Sequence, residues 1–399
     1  MFTEQDTACI RAHGLTPEAV ERQLENFRRG FPFLKVVRAA APGDGILVPA
    51  PQEVAAAVRR YDEAAARLGI VKFVPASGAA TRMFKELFAF VEEGRRSEGI
   101  DRLLQNIERF AFWPELRATL PAGADDRTVV EHIIGKGLGY GGRPKGLVTF
   151  HAYAEGARKA AEEHLVEGAQ YAAAGGRVRI HFTVSPEHRA DFEALMAEKV
   201  PLYERRFGVH YDIAFSEQKP STDTVAVNPD NMLFRTDAGA LLFRPAGHGA
   251  LIENLNEIDA DLIFVKNIDN VTTDARRGDT VTYKKVLAGL LLELQERSFE
   301  YIRALDTGGA ELADIARFIR EPTTTTRPCC APSSTVPSAC AAWCATRASR
   351  AAAPSGRSTT TAPNRSKSPS RARSHPPTGR SCSGPPTSIR SIWSAACAT

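Results

Sequence analysis

Five clusters of residues in this sequence have the types and spacing to handle a phosphorylated ligand. The first is Ser77-Gly78-Ala79-Ala80-Thr81-Arg82, which follows the apolar run from Ile70 to Val74 and precedes a helical pattern carrying Met83, Phe84, Leu87, Phe88 and Phe90. A strand, a small-residue turn and a helix aim free backbone N–H groups at a phosphate, and Arg82 adds charge at the mouth. An ordinary strand-to-helix connection has the same pattern. Lys145, set between Pro144 and Gly146 ahead of an apolar run, reads as a fixed cation or as a surface-turn lysine. Gln218 lies in a polar loop where its amide can read a base edge or merely face solvent. Gly247, His248 and Gly249 open a helix, where a bare backbone can approach a base or phosphate closely. His248 alone reads more simply as a structural hydrogen-bonder. Asp269, flanked by Asn267 and Asn270, ends an apolar strand. A carboxylate there suits Mg²⁺, which takes one or two carboxylates with phosphates and waters, or else closes an Asx turn.

The elements that must position these residues alternate. Strands are expected at 70–74, 178–184, 211–215, 241–244 and 262–271, with helices at 151–174, 185–207 and 282–304. Alternation of this kind predicts an α/β class with a mainly parallel sheet flanked by helices. Ligands in such sheets sit beyond the carboxyl ends of strands, which draws Ser77–Arg82, Gln218, Gly247–Gly249 and Asp269 along one edge. Residues 1–68 read as an N-terminal helical extension, with an N-cap, N1 proline and early acid at Thr16-Pro17-Glu18. Residues 69–321 form the expected α/β core. The glycine-dense loop 135–142 is expected either to wrap a ligand or to stay mobile.

The net charge of +4 misleads. Residues 322–399 contain ten Lys or Arg and no Asp or Glu; removing those ten from the 51 basic residues leaves 41 against 47 acidic, a balance of −6. Six of the seven cysteines also fall there, leaving Cys9 in the body. The body is therefore mildly acidic and cysteine-poor, which argues against nucleic acid as a partner and for the cytoplasm. No apolar window is long enough to span a membrane, and the first residues lack the order of a signal peptide.

The tail is expected to be either a disordered basic arm or a frameshifted translation. Shifted by one base, Ala342 to Gly356 can encode Gly-Met-Val-Arg-Asn-Glu-Gly-Glu-Pro-Gly-Gly-Gly-Pro-Phe-Trp, which restores acids and large apolar residues. The frame error, beginning near Pro322, is the favoured reading. The nucleotide sequence decides it: an uninterrupted alternative frame is expected, and early stop codons would rule it out.

Taken in order, four elements resemble nucleotide-sugar pyrophosphorylases, nucleotidyltransferases of the GT-A-like fold. Residues 77–83 keep one glycine and the Thr-Arg-Met ending of their signature; Pro144-Lys145-Gly146-Leu147 resembles their Pro-Lys element; residues 245–249 resemble their uridine-contacting turn; and residues 267–270 resemble the strand end whose aspartate binds metal. The set is more closely similar to a bacterial family, domain-of-unknown-function family 4301, over roughly residues 1–320. The pyrophosphorylase resemblance implies a Rossmann-like, GT-A-type sheet and a Mg²⁺-dependent transfer of a nucleotidyl group from a nucleoside triphosphate, UTP favoured, to a sugar 1-phosphate. It implies that Ser77, Gly78, Ala79, Ala80 and Thr81 hold the triphosphate, with Arg82 and Lys145 as catalytic cations. Gln218, Gly247, His248 and Gly249 would hold the base, and Asp269 the metal. A nucleotide- or sugar-phosphate-binding protein of the same fold that performs no chemistry is the alternative.

Overall fold

The computed structural model describes residues 2–78, 83–309 and 311–320, and the side chains of His248 and Arg320 are not described. These residues fall into two compact units, 2–41 with 48–293, and 42–47 with 294–320. In the smaller unit, helix α12 (Leu312–Arg320) sets Phe318 against Tyr301, ring centroids 5.1 Å apart, with the Arg297 guanidinium 4.6 Å from the Phe318 ring.

The larger unit is mixed α/β. Its main sheet runs in the spatial order β9 (Leu262–Val265), β1 (Ile70–Pro75), β5 (Arg177–Val184) and β6 (His210–Glu217), with the two-residue β4 (Ala173–Ala174) antiparallel to β5. The four longer strands pair in parallel, in registers Leu262↔Ile70, Lys72↔Ile180 and Arg177↔His210. All four therefore end at the same edge. The chain passes from β1 to β5 and β6 on one side and returns with β9 on the other. The direction of winding thus reverses between β1 and β9, where open sheets leave a crevice.

Every residue of β1 is buried, Lys72 included. Helix α8 (Ala160–Tyr171) is buried on almost all sides although it carries Glu162, Glu163, His164 and Glu167. Helix α9 (Arg189–Phe207) follows a short 3₁₀ turn at Pro186–His188, and Phe192, Leu195 and Met196 pack with Phe182 and Val184 of β5.

The sequence expectations for β1, β5 and β6 match strands in place, with ends shifted by one or two residues, whereas the strand expected at 262–271 ends at Val265 as β9. Two further expectations are corrected. Residues 151–174 do not form one helix: β2 (Thr149–Tyr153) and β3 (Gly156–Lys159) make a hairpin first, turning at Gly156 with φ +132°, and only then does α8 begin. Glu162 caps that later start, accepting from the Lys159 N–H at 2.9 Å. The expected strand 241–244 shortens to β8 (Phe243–Arg244), which pairs antiparallel with β7 (Thr224–Val225) outside the main sheet. Val225, Leu241 and Phe243 are covered by Ile10, Val20 and Leu24 of helices α1 (Glu4–Ala12) and α2 (Pro17–Arg29). The Thr16 side chain caps α2 as expected, accepting from Ala19 N–H at 3.2 Å. The glycine-dense loop packs against its neighbours: a Cβ at Gly141 would lie 2.6 Å from Phe88 and 2.8 Å from the Ile134 carbonyl.

Candidate functional site

The edge beyond β1 and β9 brings Ser77 and Gly78 of the first cluster together with Lys145 and Asp269. Backbone bonds from Lys266 N–H to Phe73 O (3.1 Å) and from Ile268 N–H to Pro75 O (3.2 Å) continue the β9–β1 pairing past the strand ends. They carry Asp269 to the rim, beside the segment 76–78. Lys145 comes from a different part of the chain, the 3₁₀ turn Lys145–Leu147. Its N–H donates to Gly78 O at 3.3 Å, and its Nζ donates to Asp269 Oδ2 at 2.5 Å. Gly146 permits this approach, since a Cβ there would meet the Phe192 ring at 2.6 Å and Ile268 at 3.1 Å. Lys145 and Asp269 are each about a third exposed, so the pair faces solvent on one side.

Gln218 and the turn 245–249 form a second group at the β6 end of the same edge. Gln218 Nε2 donates to Ala246 O at 3.4 Å. Asn254 of helix α10 (Ile252–Asn256) holds the strand end, donating to Ser216 Oγ (3.0 Å) and Glu217 O (2.7 Å). Gly247 and Gly249 are exposed, and Gly247 precedes the 3₁₀ turn His248–Leu251. Ser77 is half-buried and Gly78 exposed. Ala79, Ala80, Thr81 and Arg82 lie outside the described residues, as does the His248 side chain.

Polar atoms buried without a hydrogen-bond partner among the described residues include Thr183 Oγ1, Ser185 Oγ and Asn254 Oδ1. Thr183 and Ser185 flank the end of β5, whose Thr183 carbonyl accepts from Ala76 N–H at 2.8 Å. Buried polar groups left unpaired are uncommon in folded proteins, and these three lie near the ends of β5 and β6.

Two buried charged networks support this rim, and sequence reasoning missed both. In the first, Glu167 of α8 receives Lys72 Nζ at 2.9 Å, Lys266 Nζ at 2.6 Å and Tyr171 OH at 3.1 Å. Lys72 also donates to His164 O at 3.1 Å, and His164 Nε2 lies 3.1 Å from Ile268 O, next to Asp269. Burial pushes the Lys72 ammonium down to about 7, against the pull of Glu167. Burial likewise pushes Lys284, in helix α11 (Arg277–Asp306), down to about 8. Burial raises Glu167, but the Lys72 and Lys266 ammonium groups outweigh it and hold the carboxyl below its ordinary range. His164 is held well below its ordinary value by burial and then by Lys72, so it is neutral and donates from Nε2 to Ile268 O.

The second network centres on Glu163, which is fully buried. It accepts from Tyr153 OH at 2.6 Å and from Arg277, and lies 3.0 Å from His151 Nδ1. Arg158 grips Asp274 through both terminal nitrogens, at 2.8 and 3.0 Å, and stacks 3.8 Å over the Tyr153 ring. Arg277 also donates to Thr272 O at 2.9 Å and to Asp274. Helix α8 thus holds the segment 268–277 at both ends, His164 at Ile268 and Glu163 at Arg277. The signal in the sequence was Glu162-Glu163-His164-Leu165-Val166-Glu167, where polar and charged residues spread around more than half of a helix that continues through apolar ones. Such a helix is either fully solvated or buried with partners.

Among the described residues, no group of three or more His, Cys, Asp or Glu is arranged to hold a metal ion. None of the described helices is long and apolar enough to cross a membrane. No curated protein matches the chain. A family model described as Domain of unknown function (DUF4301) matches residues 3–334, ending inside the acid-free tail and leaving 335–399 outside. On a match covering this much of its length, from the N-terminal helices past the end of the described structure, the chain belongs to that domain-of-unknown-function family.

Proposed function

We propose that this chain is a nucleotidyltransferase-like protein with a GT-A-type, Rossmann-like core, which transfers a nucleotidyl group from a nucleoside triphosphate to a sugar 1-phosphate and releases pyrophosphate. UTP is the favoured donor. The observation that carries the reading is the Lys145–Asp269 ion pair at 2.5 Å, with Lys145 also bonded to Gly78. Three motifs far apart in sequence meet at the point where the winding of the sheet reverses. The orphaned hydroxyls of Thr183 and Ser185 support a polar ligand beside them.

The chemistry needs positioning and charge neutralisation more than a covalent nucleophile. An oxygen of the sugar phosphate attacks the α-phosphorus in line, and that bond forms as the bond to the pyrophosphate oxygen breaks. Lys145 places a fixed positive charge where negative charge gathers. By the resemblance, Ser77, Gly78, Ala79, Ala80 and Thr81 would hold the phosphates with Arg82 as a second cation, and Gln218 with the turn 245–249 would take the base. A single carboxylate suffices for Mg²⁺ bound mainly through phosphates and water, so Asp269 fits as its protein ligand. Bound there, the ion would neutralise phosphate charge.

A specific observation favours the alternative, a nucleotide- or sugar-phosphate-binding protein without catalysis. Ser77, Ala79 and Ala80 stand where the resembling enzymes carry glycines, and Lys145 and Asp269 satisfy each other. Pyrophosphate release across a matrix of nucleotides and sugar 1-phosphates separates the two, using both the 399-residue chain and a frame-corrected one. Release is expected with at least one pair, falling roughly a hundredfold or more in Asp269→Ala. Nucleotide binding without release from any pair would establish the non-catalytic reading, and neither binding nor release would overturn both.

A further inference from the structure

An apolar cavity of about 520 Å³ lies alongside the two segments that meet at Lys145. Its walls include Phe84, Phe110, Phe112, Ile133, Val148 and Phe150. The volume falls in the range of small-molecule sites and is far larger than the gaps a packed core leaves. Met83 and Phe110, both more than a third exposed, also line it, so it opens to solvent.

Its position relates it to the phosphate-binding candidate. Val148, in its wall, donates its N–H to the Lys145 carbonyl at 3.2 Å. On the other side, Met83, Phe84 and Leu87 line it. A molecule anchored by a phosphate at Lys145 therefore has an apolar, aromatic-walled space that begins at Val148, three residues on. The Tyr140 ring stacks on Phe84 and meets Phe112 edge-on, fixing two walls from behind.

We infer that this cavity is a substrate subsite, and that the phosphorylated acceptor carries an apolar body, an alkyl, prenyl or aryl group, on or beside its phosphate-bearing part. The inference rests on Lys145 being a phosphate-binding residue and narrows the acceptor beyond a bare sugar phosphate. A sugar 1-phosphate alone would leave aromatic walls facing water.

The test is calorimetric titration of the 399-residue chain with octyl phosphate, methyl phosphate and octanol. Octyl phosphate is expected to bind at least about tenfold tighter than methyl phosphate, with a negative heat-capacity change from apolar burial. Lys145→Ala is expected to weaken octyl phosphate while leaving octanol unchanged. Ile133→Trp fills the cavity from one wall and Leu103→Trp from another; either one, if folded by circular dichroism, is expected to weaken octyl phosphate about tenfold or more while nucleotide binding persists. Equal affinity for octyl and methyl phosphate, or octyl phosphate binding unmoved in both tryptophan variants, overturns the subsite. Octyl phosphate binding indifferent to Lys145→Ala overturns its link to the phosphate. If nucleotide binding survives while octyl phosphate fails, only this inference falls. Nucleotide binding that is also unmoved by Lys145→Ala would remove the functional reading beneath it.

Discussion

Glu167→Ala is expected to destabilise the larger unit by about 3–5 kcal/mol, measured as a lowered midpoint in urea unfolding at neutral pH. Glu167 is the carboxylate shared by Lys72 and Lys266, and Lys72 has no solvent exposure. Removing the carboxylate leaves Lys266 without its counter-charge and pushes Lys72 toward its neutral form, so both ion pairs and the Tyr171 hydrogen bond are lost together. Lys72→Met is expected to cost less, because Lys266 still neutralises Glu167. The pH dependence has a definite sign. Folding lowers the Lys72 affinity for protons, to about 7 from an ordinary 10.5, and lowers Lys284 to about 8. Between those values the unfolded chain binds more protons than the folded one, so this cluster makes stability rise with pH from about 7 upward. The contribution is lost as pH falls toward the folded values. In Lys72→Met the rise is expected to flatten. A loss below about 1 kcal/mol in Glu167→Ala would show that the lysines find other partners.

Gly289→Ala is expected to cost about 2 kcal/mol or more even though alanine is the better helix former. Gly289 of α11 lies against helix α3 (Pro51–Ala65), and a Cβ would stand 2.6 Å from the Ala57 carbonyl carbon and 2.9 Å from its Cα, with the oxygen closer still. Backbone cannot yield as a side-chain tip can, so the two helices must separate. Separation would also stretch the flanking ion pairs Arg60–Glu293 (2.7 Å) and Lys285–Asp62 (2.8 Å). Tyr61, Ala65, Ala288 and Leu291 pack in the same cluster and would lose contact. Gly278→Ala, on the same helix with open space around it, is the control and should change stability by no more than about 1 kcal/mol. Equal effects from both substitutions would contradict the close helix contact.

The strands and the rim were legible because they obey local rules. The apolar run 70–74, the alternation in 178–184 and the apolar run from Leu262 that leads to Asp269 each announce themselves within a few residues, and parallel pairing then sends their ends to one edge. Lys145 was legible by its setting, between proline and glycine, and the structure sets it on Asp269. What was hidden is long-range. Lys72 interrupts an apolar run by one residue, and only Glu167, 95 positions away, explains its burial. The sequence favours helix over the hairpin before α8 because residues 157–174 are rich in good helix formers; the turn at Gly156 and pairing between β2 and β3 prevail over propensity before Ala160. Glu163, His151, Arg158 and Arg277 were invisible as a group because no spacing rule relates a hairpin, a buried helix and a segment more than a hundred residues on.

The pairing of β9 with β1 sets a timetable for synthesis. Ile70 emerges from the ribosome nearly two hundred residues before its partner Leu262. Until then one side of β1 presents unpaired backbone along a strand whose residues are all destined for burial. Strand edges of that kind invite pairing with other chains. The interval covers the synthesis of α8, β5 and β6, so the nascent chain can cover one flank of β1 early and the other only late. Any chain ending before residue 262 would carry that open edge permanently, and its hazard would be self-association before loss of any chemistry at the rim.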